Sequence, residues 1–166
     1  MKIAVTDANI FIDLIKLQWL GYLFNIELEI YSTREVIDEL NDSQLERVTA
    51  FIQSKQLAVY YFSSDEWEQI VEMNAPASLT PEDKSVVFLA IQLQAEVLSG
   101  DNPLRKFCEK QKLEVKGILW LFDRFVELKM VTPNIAIEQM NYLLSFNNRL
   151  PALDCQSRLK RWEEML

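Results

Sequence analysis

Four acidic residues stand where a carboxylate could do chemistry: Asp7, Glu39, Asp83 and Asp101. They are distant in sequence, yet each is predicted at a strand end or on the inward side of a helix. Carboxylates gathered in one place repel one another, and burial makes their charged forms costlier still. A folded protein tolerates such a group most easily with a bound cation, and oxygen ligands without His or Cys favour Mg²⁺ or Mn²⁺. The four acids therefore predict a site for a hard divalent ion.

The residue types that are missing or scarce point to the same chemistry. The 166-residue chain has no histidine, which excludes Ser-His-Asp and Cys-His catalysis and zinc sites that need imidazole. Its three glycines, Gly21, Gly100 and Gly117, cannot form a G-x-G-x-x-G turn or a phosphate-binding loop. Catalysis would then depend on carboxylates and a metal ion, which polarises a phosphate oxygen and supplies a nucleophilic water. The reaction class that fits is hydrolysis of a phosphodiester or phosphate ester.

Two of the acids follow predicted strands. The apolar run Ile3 to Val5 is typical of a buried parallel strand, and Asp7 comes just after it. Glu96 to Ser99 is a second such strand, followed by Asp101. Parallel strands open toward the same end of the sheet, where open α/β sheets bind their ligands. We therefore expect Asp7 and Asp101 to meet there, with Asn9 starting the helix after the first strand. In the alternative interpretation, Asp7 is only a helix cap.

The third acid belongs to a helix predicted from Ser32-Thr33 to about residue 40. Within this helix, Glu39 lies nearer the apolar stripe than Glu35 or Asp38 does. Glu39 is therefore predicted to face inward, across the sheet edge. The alternative is an acid that merely flanks the buried face of a surface helix.

The fourth acid lies at the start of a long helix predicted from Thr80 to about residue 95. Thr80 is expected to cap this helix and Pro81 to occupy its first position. Asp83 heads a helical face that is otherwise apolar, whereas Glu82 is expected to share an outward face with Ser85. The structural alternative makes Asp83 only the acidic half of a capping box with Thr80.

Together these segments resemble the PIN-domain ribonucleases, the family of the VapC-type toxins. The matching segments are V-T-D-A-N-I-F-I-D-L at 5–14, T-R-E-V-I-D-E-L at 33–40, T-P-E-D-K-S-V-V-F-L-A at 80–90 and L-S-G-D-N-P-L-R at 98–105. The resemblance covers roughly residues 1–127. It implies a Rossmann-like three-layer α/β/α sandwich around a parallel sheet, and Mg²⁺- or Mn²⁺-dependent endonuclease activity on RNA.

Carried over to this chain, the resemblance assigns catalysis and metal binding to the four acids, Asp7, Glu39, Asp83 and Asp101. Supporting positions fall on Asn9, Ser99 and Asn102. Asn102 stands where many relatives carry a further acid, which weakens the case for a strong second metal site. The resemblance also implies a homodimer that a small antitoxin protein holds inactive.

The chain is expected to form one nuclease domain over residues 1–132, with residues 133–166 as a C-terminal helical extension packed on it. No apolar run reaches the ~18–20 residues of a membrane span, and the N-terminus lacks the pattern of a signal peptide. A cytoplasmic protein with reduced thiols at Cys108 and Cys155 is therefore expected.

The net charge of −8 is unusual for a protein that binds nucleic acid. A carboxylate site raises the acidic count but presents positive charge once it holds a metal. Basic residues near the C-terminus, at positions 149, 158, 160 and 161, could contact RNA phosphates, or they could form an ordinary solvated helix face.

Two other functions compete with a nuclease. One is a metal-dependent phosphatase on a similar sheet, but a haloacid-dehalogenase-type enzyme needs D-x-D where this chain has Asp7-Ala8-Asn9. The other is a catalytically silent PIN-like module that binds proteins and uses its acids as helix caps.

Overall fold

Five parallel strands form the centre of the fold in the computed structural model, which describes all of residues 1–166. The strands are β1 (Lys2–Thr6), β2 (Leu28–Thr33), β3 (Leu57–Tyr60), β4 (Glu96–Leu98) and β5 (Val115–Lys116). Their order in the sheet is β3-β2-β1-β4-β5. The chain therefore builds outward from β1 to β3 and then returns to the other side of β1. The point where the direction reverses, between β1 and β4, is where open α/β sheets bind ligands.

Ten helices connect and cover the strands. They are α1 (Ala8–Lys16), α2 (Leu20–Leu23), α3 (Arg34–Asp38), α4 (Asp42–Gln53), α5 (Ser64–Glu72), α6 (Pro81–Leu93), α7 (Asn102–Lys110), α8 (Ile118–Glu127), α9 (Pro133–Phe146) and α10 (Ala152–Glu164). The predicted Rossmann-like α/β class with a central parallel sheet is confirmed. No helix combines the length and the apolar character that a membrane crossing needs.

Strands β1 and β4 form around short apolar runs, because both faces of the sheet are covered there. Ala4 and Val5 in β1, and Val97 and Leu98 in β4, are fully buried. The edge strand β3 is only partly buried beyond Leu57, as expected for a strand with one neighbour.

The last two helices pack on the rest of the molecule. Trp162 of α10 is buried, and its ring lies 5.9 Å from that of Phe122 in α8. Asp123 of α8 binds both Arg158, at 2.9 Å, and Arg161. Two of the basic residues near the C-terminus are thus engaged by an acid of the protein itself, so they do not form a free basic face.

Candidate active site at the carboxyl edge of the sheet

Asp7 lies directly after β1 and is only 5% exposed. Its Oδ1 accepts a hydrogen bond from the backbone N–H of Ala8 at 2.8 Å, which caps α1. Its Oδ2 accepts from the Ser99 hydroxyl and from Asn9 Nδ2, both at 2.9 Å. The cap predicted as the structural alternative is therefore present, and the same carboxylate also accepts a hydrogen bond from the residue that follows β4.

The turn after β4 brings Asp101 to the same edge. Ser99 Oγ accepts a hydrogen bond from the Asp101 N–H at 3.1 Å, and the Gly100 N–H donates to Asn9 Oδ1 at 2.9 Å. Asp101 Oδ2 accepts from the Leu104 N–H at 3.0 Å, which caps α7. Asn9 and Ser99 thus connect the ends of β1 and β4. Asn102, the third position with a predicted supporting role, is exposed at the start of α7, and its side chain makes no hydrogen bond.

Asp83 reaches this region from the first turn of α6. It forms a reciprocal capping box, in which Thr80 N–H donates to Asp83 Oδ2 at 3.0 Å and Asp83 N–H donates to Thr80 Oγ1 at 3.1 Å. Its side chain is half-buried. The capping box fixes the carboxyl group of Asp83 at the start of α6. Asp83 therefore caps the helix and also lies where the sequence predicted it.

A buried pair of hydroxyls holds α6 against the end of β2. Thr33 Oγ1 and Ser85 Oγ lie 2.9 Å apart, and Ser85 Oγ donates to the carbonyl of Glu82 at 2.6 Å. Since each hydroxyl has one hydrogen, Thr33 must donate to Ser85. Thr33 Oγ1 also accepts from the Val36 N–H at 3.1 Å and so caps α3. One side chain therefore positions the starts of two helices that carry predicted site residues.

The prediction that Ser85 shares an outward face with Glu82 is wrong, because Ser85 is fully buried. Helix α6 packs against both β1 and β2 and also against α5, so more than one of its faces is covered. The sequence signal for this position is a small polar residue, which fits a buried face as well as an exposed one. Ser85 is thus a positioning residue that the sequence did not identify, whereas Thr33 was expected to cap α3 but not to bind Ser85.

Glu39 lies after α3 as its C-cap residue, and its side chain is exposed without a hydrogen bond. Glu35 is the half-buried acid of this helix, and its Oε1 is buried without a partner. Glu35, rather than Glu39, is therefore the more buried of the two acids, which is the reverse of the prediction. Helix α3 has only five residues and ends at Asp38, so the helical period used to place Glu39 does not extend to it.

The acids act on one another electrostatically. Burial, followed by the negative charges of Asp83 and Asp101, raises the pKa of Asp7 to about 6, against hydrogen bonds from Ser99 and Ala8 that lower it. Burial also raises the pKa of Asp83, with further contributions from Asp101 and a neighbouring glutamate.

Glu39 belongs to the same electrostatic group. Partial loss of water around its carboxyl, and then the charges of Asp7, Glu82 and Asp83, raise its pKa to about 7 although the side chain stays exposed. Glu82 raises the pKa of both Glu39 and Asp83, so it joins the site as an acid that the sequence had placed outside it. None of the four predicted acids forms an ion pair with a lysine or arginine.

The chemistry of this donor set fits a hard divalent cation, since it offers carboxylate oxygens with no basic partner. The spacing is more open than that of a coordination sphere. No group of three or more acidic side chains lies close enough together to hold one ion. The carboxylates therefore share one electrostatic field while each remains fixed, except Glu39, by a helix-capping hydrogen bond.

A family model described as a PIN domain matches residues 3–164. This match spans nearly the whole chain, α9 and α10 included, and the chain belongs to the PIN-domain family. The resemblance predicted from the four acid-bearing segments is thereby confirmed at the level of the family. PIN domains are generally nucleases that use divalent metals, and this membership indicates a hydrolase that acts on nucleic acid. A comparison with curated proteins finds no match.

Proposed function

We propose that this protein is a divalent-metal-dependent endoribonuclease that hydrolyses RNA phosphodiester bonds at the site of Asp7, Glu39, Asp83 and Asp101. One observation carries the proposal. Ser99 Oγ donates to buried Asp7 and accepts from the Asp101 N–H, which joins the segments of both acids at one edge of the sheet, and burial with smaller contributions from Asp83 and Asp101 raises the pKa of Asp7 to about 6. Three unpaired acids that act on each other at the reversal point of a parallel sheet form an arrangement that a bound cation stabilises.

Asp7, Asp83 and Asp101 are the residues that would hold Mg²⁺ or Mn²⁺, with Glu39 at the exposed rim. When bound, such an ion supplies a nucleophilic water and neutralises charge on the phosphate. Ser99 and Asn9 orient Asp7 through hydrogen bonds of 2.9 Å, so its Oδ2 cannot rotate freely. Glu39 has a free, exposed carboxylate, which can accept a proton at Oε1 or Oε2 from water that enters the site.

Residues 1–132 are proposed as the nuclease domain and 133–166 as a helical extension packed on it, which the contact of Asp123 with Arg158 supports. The resemblance of the acid-bearing segments to VapC-type toxins supports a further part of the proposal. In it the protein is a cytoplasmic homodimer and the toxin of a pair, controlled by a small antitoxin protein.

The activity is tested by incubating the purified protein with single-stranded RNA and Mn²⁺. Asp7→Asn is expected to reduce cleavage by about a hundredfold or more, because it removes a charge that the metal requires. Asp42→Asn is the matched control, since Asp42 is exposed in the first turn of α4 and its side chain makes no hydrogen bond or ion pair. Cleavage at the wild-type rate by Asp7→Asn would identify a contaminating nuclease and contradict the proposal.

A catalytically silent module is the second candidate, and the caps favour it. Asp7, Asp83 and Asp101 each accept a hydrogen bond from a backbone N–H at a helix start, which alone would justify an acid at these positions. Such a module would neither cleave RNA nor gain stability from divalent metal. The two candidates are therefore separated by the cleavage assay and by thermal unfolding with and without Mn²⁺.

A further inference from the structure

A cavity of about 340 Å³ opens beside the carboxylates. It lies between α1, β5, the start of α8 and the segment 147–154, which joins α9 to α10 and includes the first residues of α10. Asn9, Gly100 and Asn102 line it, and they also belong to the candidate active site. Its volume falls within the range of roughly 300–1,000 Å³ that is usual for small-molecule sites. None of the four candidate acids lines the cavity itself, but these three residues adjoin Asp7 and Asp101 in the chain, so an occupant would lie next to the candidate active site.

The charged side chains that line the cavity are four basic and two acidic, which is the reverse of the balance of the whole chain. Two of the basic groups are already paired: Lys116 Nζ lies 3.1 Å from Glu96, and Arg158 binds Asp123. The other two, Arg105 and Arg149, form no ion pair with a carboxylate. These two guanidinium groups are available to an anionic occupant.

The two acidic residues of the lining are Asp13 and Asp154. Asp13 is half-buried and accepts a hydrogen bond from Asn147 Nδ2 at 3.0 Å, which ties the 147–154 segment to α1. Asp154 is exposed in the first turn of α10. Neither acid forms an ion pair with Arg105 or Arg149, although the charge of Arg149 acts on Asp13 and lowers its pKa against the larger effect of burial.

Arg105 lies under the start of α8. Its Nη1 donates to the carbonyl of Ser99 at 2.9 Å, which fixes the guanidinium next to the active-site turn. A Cβ atom at Gly117 would lie only 3.2 Å from this Nη1, so the glycine leaves the room that the guanidinium occupies. Gly117 also begins α8 without a side-chain cap. The first backbone N–H groups of α8 therefore have no side-chain cap. Together with Arg105 they offer hydrogen-bond donors to a molecule in the cavity.

Trp120 is the one aromatic residue that lines the cavity, and it also lines a second cavity together with Lys116. The indole is half-buried in the first turn of α8, and Lys116 Nζ lies 4.3 Å from its ring centroid. This cation–π contact holds the ring in one orientation. A fixed aromatic ring beside unpaired guanidinium groups is the combination with which proteins bind single-stranded nucleic acid, the ring stacking on a base and the cations binding phosphate.

We propose that this cavity binds one nucleotide of a single-stranded RNA substrate, next to the phosphodiester bond at the carboxylates. Arg105 and Arg149 bind its phosphate, and Trp120 stacks on its base. The inference rests on the proposed nuclease function, because it takes the occupant to be part of the substrate. A base-paired nucleotide cannot insert its base beside the ring, so the cavity selects single strands. An acidic peptide would use the arginines but would leave the indole without a stacking partner.

The test measures binding rather than cleavage. The full chain is titrated into a fluorescently labelled, short single-stranded RNA in EDTA, so that no metal-dependent cleavage takes place. Trp120→Ala is expected to weaken binding about tenfold, and Trp120→Phe, which keeps an aromatic ring, should restore most of it. Arg149→Gln should weaken binding and lower the slope of log K against log salt by about 0.7, the value for one lost phosphate contact on a single strand.

Arg47→Gln is the matched control, since Arg47 is exposed on α4, forms no ion pair and does not line the cavity. It removes the same charge and should bind RNA like the wild type. Equal binding by the wild type, Trp120→Ala and Arg149→Gln would overturn the inference even if the wild type cleaves RNA. Competition by duplex RNA or polyglutamate as effective as that by single-stranded RNA would also overturn it.

The two proposals fail separately. If the wild type binds RNA, Trp120→Ala and Arg149→Gln bind weakly, and no variant cleaves RNA with Mn²⁺, the nucleotide site stands and the nuclease proposal fails. If cleavage is present and depends on Asp7, but the cavity variants bind normally, the nuclease proposal stands and the nucleotide is bound elsewhere.

Discussion

Asp7 shows how one residue can be a structural cap and part of a strained electrostatic group. Its hydrogen bonds to Ala8, Asn9 and Ser99 favour the charged carboxylate, while burial and the charges of Asp83 and Asp101 disfavour it. The raised pKa of about 6 shows that burial and repulsion dominate. The hydrogen bonds to Asp7 therefore do not offset the cost of its charged form, which a bound cation would lower.

This balance predicts how stability depends on pH. Because the pKa of Asp7 is higher in the folded chain than its ordinary value of 3.8, its contribution to stability is fully present below that value and is lost as pH rises through about 6. Because asparagine cannot ionise, Asp7→Asn should unfold at a higher temperature than the wild type near neutral pH. The gain in the free energy of unfolding should be at most about 3 kcal/mol, the equivalent of the shift in the pKa of Asp7. Near pH 4 the gain should disappear, because folded Asp7 is then protonated and the substitution removes no charge.

Thermal unfolding of both proteins without divalent metal, over about pH 4 to 8, measures this difference. Glu39, with a pKa raised to about 7, should extend the fall in wild-type stability toward neutral pH. Asp42→Asn on exposed α4 is the control and should follow the wild type throughout. A gain from Asp7→Asn that does not change with pH would show that repulsion among the acids is not its cause.

At the level of the elements, the Thr33–Ser85 hydrogen bond connects the end of β2 to α6. Thr33→Val keeps the shape of the side chain but removes both the cap of α3 and the donor to Ser85. We expect a loss of about 2–3 kcal/mol in the free energy of unfolding, from the lost cap and the buried oxygen left without its donor. Urea unfolding measures it.

Thr132→Val is the matched control for this change. Thr132 caps α9 through a longer bond of 3.4 Å to the Ile135 N–H, and its side chain has no buried partner. Its replacement should cost about 1 kcal/mol or less. A double-mutant cycle with Ser85→Ala then isolates the pair, and a coupling energy near zero would show that the hydroxyls do not hold α6 in place.

The helix ends reveal a second element-level feature, which follows from the scarcity of glycine. Helix α6 ends at Gln94 in the left-handed conformation, with φ 52° and ψ 45°, where a Cβ atom is unfavourable. Gln94→Gly should stabilise the protein by about 0.5–1 kcal/mol, since the relief of strain exceeds the added chain entropy.

The comparison that checks this is Gln156→Gly. Gln156 is exposed in the interior of α10, makes no hydrogen bond, and has ordinary helical geometry, so the same substitution should cost about 1 kcal/mol. The two variants differ only in backbone conformation at the changed residue. If both lower the melting temperature by the same amount, the left-handed geometry of Gln94 carries no strain.

At the scale of the whole molecule, the parallel sheet followed from the sequence, and so did the position of Asp7 and Asp101 after neighbouring strands. Two apolar runs that each end in an acid are sufficient, because parallel strands open toward one edge. Glu39 and Ser85 were harder to place, since α3 is too short for its period to apply and α6 is buried on several sides. The cavity could not be predicted, because Asn9, Arg105, Trp120 and Arg149 come from separate segments that share no periodic pattern.

The molecule as a whole should respond to the metal that its acids predict. An ion that binds only the folded chain stabilises it by mass action, by about 2.7 kcal/mol at a concentration one hundred times its dissociation constant. It also removes the repulsion that raises the pKa of Asp7 and Glu39, so the gain should be larger near pH 8 than near pH 5. Thermal unfolding with and without Mn²⁺ measures both effects.

Asp101→Asn is the informative variant for this experiment. It removes a negative charge that raises the pKa of Asp7 but leaves an oxygen that can still cap α7. The fold should therefore survive while the metal-dependent rise in melting temperature becomes much smaller than in the wild type. Asp65→Asn, on exposed α5, should retain the full rise. An equal rise in Asp101→Asn and the wild type would place the ion elsewhere, and no rise in any of them would favour the catalytically silent module.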